Sequence, residues 1–123
     1  MSSEIEPITI AVVDDDAIVR SALTTYLRSG GFTIVHEVTN GEDALIAITR
    51  RPVDVVIMDV RMPRLDGIQT TAELRQRRPG IKILVITSFD EDEAVRDALG
   101  AGANGFLLKD TSPAGLAEAV RTV

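Results

Sequence analysis

Three successive aspartates, Asp14, Asp15 and Asp16, close the apolar run ITIAVV (8–13). A fourth, Asp59, closes the run VDVVIM (53–58). Thr87 and Ser88 stand at the end of IKILVIT (81–87), and Lys109 ends GFLLK (105–109). Carboxylates are costly to gather: two of them about 4 Å apart repel by roughly 4 kcal/mol at an effective dielectric near 20. A cluster of three must take up a proton or bind a cation. Oxygen donors without histidine or cysteine suit a hard ion. Mg²⁺ fits best, because it accepts a few carboxylates, keeps several waters and recruits phosphate oxygens. A cation, a lysine and a hydroxyl around one aspartate compose a phosphoryl-transfer site, with Asp59 as the nucleophile.

These residues can meet only if the runs that end in them lie side by side. Five runs are present, the fifth being FTIVHEV (32–38). Four are nearly continuous in Val, Ile and Leu, the pattern of strands buried on both faces. FTIVHEV alternates instead, with Ile34 and His36 on one face and Val35 and Glu37 on the other, and reads as an edge strand. Helical stripes separate the runs: Ile18, Val19, Ala22, Leu23 and Leu27; Ala44, Leu45 and Ile48; Ile68, Ala72 and Leu74; Val95, Ala98 and Leu99; Leu116, Ala119 and Val120. Asn40 is placed to cap the second helix, and Ser112 followed by Pro113 to start the fifth. Gly30-Gly31 and Pro79-Gly80 end helices. Asp16 caps or flanks the first helix, where negative charge is favourable.

Strands alternating with helices predict an α/β domain, a doubly wound five-stranded parallel sheet with helices on both faces. With the second strand at an edge, the order is 2-1-3-4-5, and the winding reverses between strands one and three. Ligands bind at that reversal, beyond the carboxyl ends of the strands. Strands lie about 4.8 Å apart, so Asp59 is expected close to Asp14 and Asp15.

Composition narrows the function classes. The 123 residues fit one domain, 1–123, with no repeat, low-complexity tract or linker. No cysteine is present and His36 is the only histidine, which excludes disulfides, thiolate zinc sites and cysteine nucleophiles. The net charge is −6 and only four aromatic residues occur, a poor match to a nucleic-acid surface. No run approaches a membrane span and the N-terminus lacks a secretory pattern, so a cytoplasmic protein is expected.

The whole chain resembles the receiver domains of two-component response regulators. The resemblance rests on VVDDD (12–16), VVIMDVRMPRLDG (55–67), VITS (85–88) and GFLLKD (105–110), which cover the chain from end to end. It implies a flavodoxin-like fold and a phosphorylation-driven switch rather than an enzyme, with Asp59 accepting phosphate from a sensor histidine kinase. Asp15, Asp59 and the backbone carbonyl of Arg61 would ligate Mg²⁺ directly, and Asp14 would act through a bound water. Thr87 and Lys109 would hold the phosphoryl group, and Phe106 would be the aromatic that turns inward when Thr87 moves. GFLLKD and TSFDEDEAV (87–95) resemble the NarL/FixJ type, whose receivers precede a LuxR-like helix-turn-helix domain. That implies a longer transcription factor, homodimerisation on phosphorylation, and DNA contact only through the further domain. Asp110 stands where many members have a cis-linked proline. A cis bond without proline costs about 3–4 kcal/mol, which leaves the Lys109–Asp110 linkage open.

Other patterns carry less. Gly100-Ala-Gly-Ala-Asn-Gly105 matches G-x-G-x-x-G in letters, but it follows a helix and opens a strand, the reverse of a dinucleotide site. Aspartate-based phosphatases carry an acid two residues after the nucleophile, a place taken here by Arg61. Arg61 and Phe89, each two residues beyond a site residue, are bulky enough to screen the phosphoryl group from water. His36 reads as structural or solvated, and Met58 and Met62 as packing.

Overall fold

The β-branched runs form strands and the amphipathic stretches form helices, in strict alternation. The computed structural model describes residues 6–62, 65–88 and 92–123. The elements are β1 (Thr9–Val13), α1 (Ala17–Ser29), β2 (Thr33–Val38), α2 (Gly41–Arg50), β3 (Val55–Asp59), α3 (Gly67–Arg77), β4 (Lys82–Thr87), α4 (Asp92–Gly100), β5 (Gly105–Leu108) and α5 (Pro113–Thr122). All pairings are parallel and the order is β2-β1-β3-β4-β5, as the sequence predicts.

Side-chain alternation divides the core into two layers. Ala11, Val13, Val56, Met58, Ile83 and Val85 pack with Ala44, Ile48, Leu74 and Ala98 on the α2, α3 and α4 side. Ile10, Val12, Val55, Ile57, Leu84 and Ile86 pack with Leu27, Leu116 and Val120 on the α1 and α5 side. β3 is buried throughout because it lies centrally with a helical layer on each face.

β2 is the edge strand, partly exposed along its length, but its alternation is not the simple one. Ile10 pairs with Ile34 and Ala11 with His36, so the register slips at Val35. The extra residue of this bulge changes which face the following side chains take. Val35 and Val38 both join the α2 layer, while Ile34 joins the α1 layer. His36 hydrogen-bonds through Nε2 with the Arg51 carbonyl (2.8 Å), a structural tie to the end of α2.

The helix caps follow the sequence. Asp16, Asn40 and Ser112 each accept main-chain N–H bonds at the starts of α1, α2 and α5. Asp66 forms a reciprocal capping box with Gln69 at the start of α3. Two stripe residues depart from expectation. Ile18 is 81 % exposed and Leu99 42 % exposed. Ile18 sits in the first turn of α1, and the buried positions of that helix are Thr24 and Leu27 further along. In α3, Leu74 is buried as predicted, but Thr70 and Thr71 lie deeper than Ile68 and Ala72. Their hydroxyls donate to the carbonyls of Asp66 and Gly67, which removes the cost of burying them.

Gly67 makes a close approach that no other residue could. A Cβ there would strike the main-chain carbonyl of Asp59. The start of α3 thus presses directly on the end of β3. The segment from Gly100 to Gly105 ends α4 and opens β5, with Gly102 at φ 115°.

Candidate functional site

Register brings the acidic residues together. Val13 pairs with Met58, so the residues that follow, Asp14 and Asp59, leave adjacent strands at the same level. One carboxylate oxygen from each of Asp14, Asp15 and Asp59 lies within 4.8 Å of the others. Asp59 pairs with Ile86 and Thr87 with Leu108, which carries Thr87 and Lys109 to the same end of the sheet.

The carboxylates differ in their surroundings. Asp14 is fully buried and Asp59 is 5 % exposed, whereas Asp15 is exposed. Asp14 Oδ1 accepts the Asp16 N–H (2.9 Å), but Oδ2 is buried without a hydrogen-bond partner. Asp59 Oδ1 accepts the Arg61 N–H (3.1 Å), and Oδ2 accepts from Lys109 Nζ (3.3 Å). Thr87 is buried with its hydroxyl on the Ser88 carbonyl (3.3 Å), and its own carbonyl accepts the Lys109 N–H (3.0 Å). The Lys109–Asp110 linkage is trans.

Electrostatics follow from this packing. Burial pushes the Asp14 carboxyl up to about 6, opposed by the Asp16 N–H bond and reinforced by the Asp59 charge. Asp59 is also raised, first by burial, against the Arg61 N–H and the Lys109 charge. Burial disfavours the Lys109 ammonium, but Asp59, Asp14 and the hydrogen bond outweigh it and hold Lys109 above its ordinary value.

The donor set fits a hard divalent cation. Three carboxylates converge, Asp14 Oδ2 is buried without a donor, and Lys109 pairs with Asp59. An orphaned buried carboxylate oxygen is costly unless something positive meets it. Arg61 is exposed, and Phe106 is 47 % exposed on β5. Phe89 lies outside the described residues. A cavity of about 520 Å³ lies at the opposite end of the sheet, lined by Ile8, Asp54, Lys82 and Val123, away from this chemistry.

Two residues that shape the site were not singled out by sequence. Gly67 is hidden in a common Asp-Gly turn pair. Arg20 lies on α1, and its Nη1 donates to the main-chain carbonyl of Asp14 (2.7 Å). Nothing in the local pattern marks either.

Comparison with known proteins agrees with this geometry. The profile of the response regulator receiver domain matches residues 10–121. The chain belongs to the family of response-regulator receiver domains. The uncharacterized transcriptional regulatory protein YxjL of Bacillus subtilis is 35 % identical over 94 % of this chain and 54 % of its own length. The response regulator VraR of Staphylococcus aureus is 36 % identical over 93 % of this chain and 55 % of its own. The signal receiver domain of the response regulator NarL from Mycobacterium tuberculosis superposes with a TM-score of 0.90 at 35 % identity, covering 96 % of each chain. The chain thus spans about half the length of the curated relatives it matches. Receiver domains of this family are regulatory parts of two-component response regulators. Among the described residues, no helix is long and apolar enough to cross a membrane.

Proposed function

We propose that this domain is a phosphorylation-activated switch in which Asp59 accepts a phosphoryl group from a phosphohistidine of a sensor histidine kinase. An Asp59 carboxylate oxygen forms the new bond to phosphorus while the nitrogen–phosphorus bond of the donor breaks. The observation that carries this reading is the buried Asp59 carboxylate, held between Lys109 and the Asp14–Asp15 pair. Mg²⁺ would be held directly by Asp15, Asp59 and the Arg61 backbone carbonyl, with Asp14 acting through water. When bound, the ion offsets the negative charge of the phosphoryl oxygens.

The chain's own residues do the rest. Lys109 already bonds one Asp59 oxygen and keeps its proton, so it is ready to pair with a phosphoryl oxygen. The Thr87 hydroxyl supplies a second donor at the adjoining strand end. Phosphorylation replaces one carboxylate charge with roughly two and adds acceptor oxygens. Thr87 then moves toward the phosphoryl group, and Phe106, which stands outward on β5, turns in behind it. The surface of α4, β5 and α5 changes, which biases a two-state equilibrium. Homodimerisation is the output, pairing C-terminal helix-turn-helix DNA-binding domains in a longer, cytoplasmic transcription regulator. Arg61, two residues beyond Asp59, screens the phosphoryl group from water.

The test uses a small acyl-phosphate donor with Mg²⁺ and intact-mass detection. The unaltered chain gains one phosphoryl group, and Asp59→Asn gains none. Labelling of Asp59→Asn at this site would overturn the reading.

A further inference from the structure

We propose that Arg20 is a positioning residue of the acidic site, holding the β1–α1 corner so that the carboxylates of Asp14 and Asp15 stay available to a divalent cation. The inference rests on the Mg²⁺ reading of the cluster and goes beyond it by assigning a residue that touches neither ion nor phosphoryl group.

An arginine one helical turn beyond three aspartates would ordinarily pair with one of them, since a guanidinium and a carboxylate form a strong two-pronged pair. Arg20 does not. Among the described residues it forms no ion pair, and its Nη1 bonds the main-chain carbonyl of Asp14 at 2.7 Å. The guanidinium is thus engaged with the backbone and pairs with none of the carboxylates among the described residues.

Besides the Arg20 bond, the corner is tied by the Asp16 N–H, which donates to Asp14 Oδ1 (2.9 Å), and by one main-chain bond to the sheet. The Asp14 N–H is bonded to the Val38 carbonyl of the edge strand (3.0 Å). Beyond Asp14 the chain leaves the sheet and turns into α1, whose cap is Asp16. Arg20 itself is fixed on that helix by its own N–H bond to the Asp16 carbonyl (2.9 Å). The loop Asp14–Asp15–Asp16 is thus pinned at one end by β2, held within by the Asp16 N–H on Asp14 Oδ1, and joined to α1 by the Arg20 side chain reaching back across it. Removal of Arg20 would leave the Asp16 N–H bond to Asp14 Oδ1 as the remaining tie within the corner, and repulsion among the carboxylates would act against it. Groups that orient metal ligands in this indirect way typically change metal affinity by about 10–100-fold when lost.

The experiment measures two quantities on the same chain. Titration calorimetry gives the Mg²⁺ affinity, and the Mg²⁺ dependence of acyl-phosphate labelling gives a half-saturating concentration and a plateau rate. Arg20→Met is expected to weaken Mg²⁺ binding and raise the half-saturating concentration by about tenfold, about 1.4 kcal/mol, with a plateau within about twofold of the unaltered chain. Arg20→Lys, which keeps a charged donor, is expected to fall between the two. An unchanged affinity in Arg20→Met overturns the proposal. So does a lowered plateau at unchanged half-saturation, which would put Arg20 in the transfer step. If Arg20→Met does not fold, Arg20→Gln carries the same readings. Failure of the unaltered chain to bind Mg²⁺ would count against the metal reading itself, a separate outcome.

Discussion

The domain holds two polar clusters of opposite character. One is built on Arg75, near the end of α3. Its guanidinium donates to the carbonyls of Pro79, Ile81 and Gly102 and to Asn104 Oδ1, at 2.6–3.1 Å. Asn104 Oδ1 also accepts the Ile83 N–H (2.8 Å). The clasp ties the α3–β4 turn to the α4–β5 turn, and Gly102 there holds φ 115°, a conformation that side chains other than glycine's rarely adopt. The other cluster, at the opposite end of the sheet, is Asp14, Asp15 and Asp59, in which like charges are packed together and Asp14 Oδ2 has no donor. A polar network with its donors matched rigidifies a fold, and one left partly unmatched stores free energy for a ligand to release. The difference separates the part of this molecule that keeps its shape from the part that responds.

The largest expected effect breaks the satisfied cluster. Arg75→Ala removes its hydrogen bonds and strands several carbonyls, so stability should fall by about 3–4 kcal/mol. Urea denaturation measures this, and Mg²⁺ affinity, read by calorimetry on the folded variant, should stay unchanged.

The second effect has the opposite sign. The Asp14 carboxyl is raised to about 6 by burial. Between the ordinary carboxylate range and that value the folded chain binds the extra proton, so metal-free stability declines as pH rises through about 4 to 6. Above that window the ionised carboxylate costs about 3 kcal/mol. Asp14→Asn should therefore stabilise the metal-free chain at pH 7.5 by up to that amount and leave stability nearly unchanged at pH 4. It should also remove most of the stabilisation by Mg²⁺, which is about 2.7 kcal/mol when the ion is present at a hundred times its dissociation constant. Thermal or urea unfolding at the two pH values, with and without Mg²⁺, checks each part. A destabilised Asp14→Asn at pH 7.5 would mean that the orphaned oxygen is not a strained one.

The smallest effect sharpens the comparison within the aspartate run. Asp16 is a satisfied neighbour, accepting the N–H groups of Ile18 (2.9 Å) and Val19 (3.2 Å). Asp16→Ala should cost about 1 kcal/mol, as helix caps do. Mg²⁺ affinity, measured by calorimetry, should be unaltered.

Much of this was legible in the sequence because it depends on periodicity. Continuous Val and Ile runs name central strands, and the polar alternation of Thr33–Val38 names the edge. Together they give the order β2-β1-β3-β4-β5. A residue at the carboxyl end of a parallel strand has one destination, so Asp14, Asp59, Thr87 and Lys109 could be gathered on paper. The clasp around Arg75 could not, because its acceptors are main-chain carbonyls, and every residue has one. Nor could the contact of Gly67 with Asp59, which depends on how closely α3 approaches the sheet.

The sequence by itself determined the strand order, the caps of α1, α2 and α5, and the gathering of Asp14, Asp15 and Asp59 at one end of the sheet. These rest on side-chain type and local period, which a chain carries before it folds. Only the tertiary structure decided the slip at Val35, the exposure of Ile18, the burial of Thr70 and Thr71, and the grip of Arg20 on Asp14. Those depend on where a helix end overhangs its sheet and where a long side chain finds a carbonyl. Such distances exist only once the layers have packed.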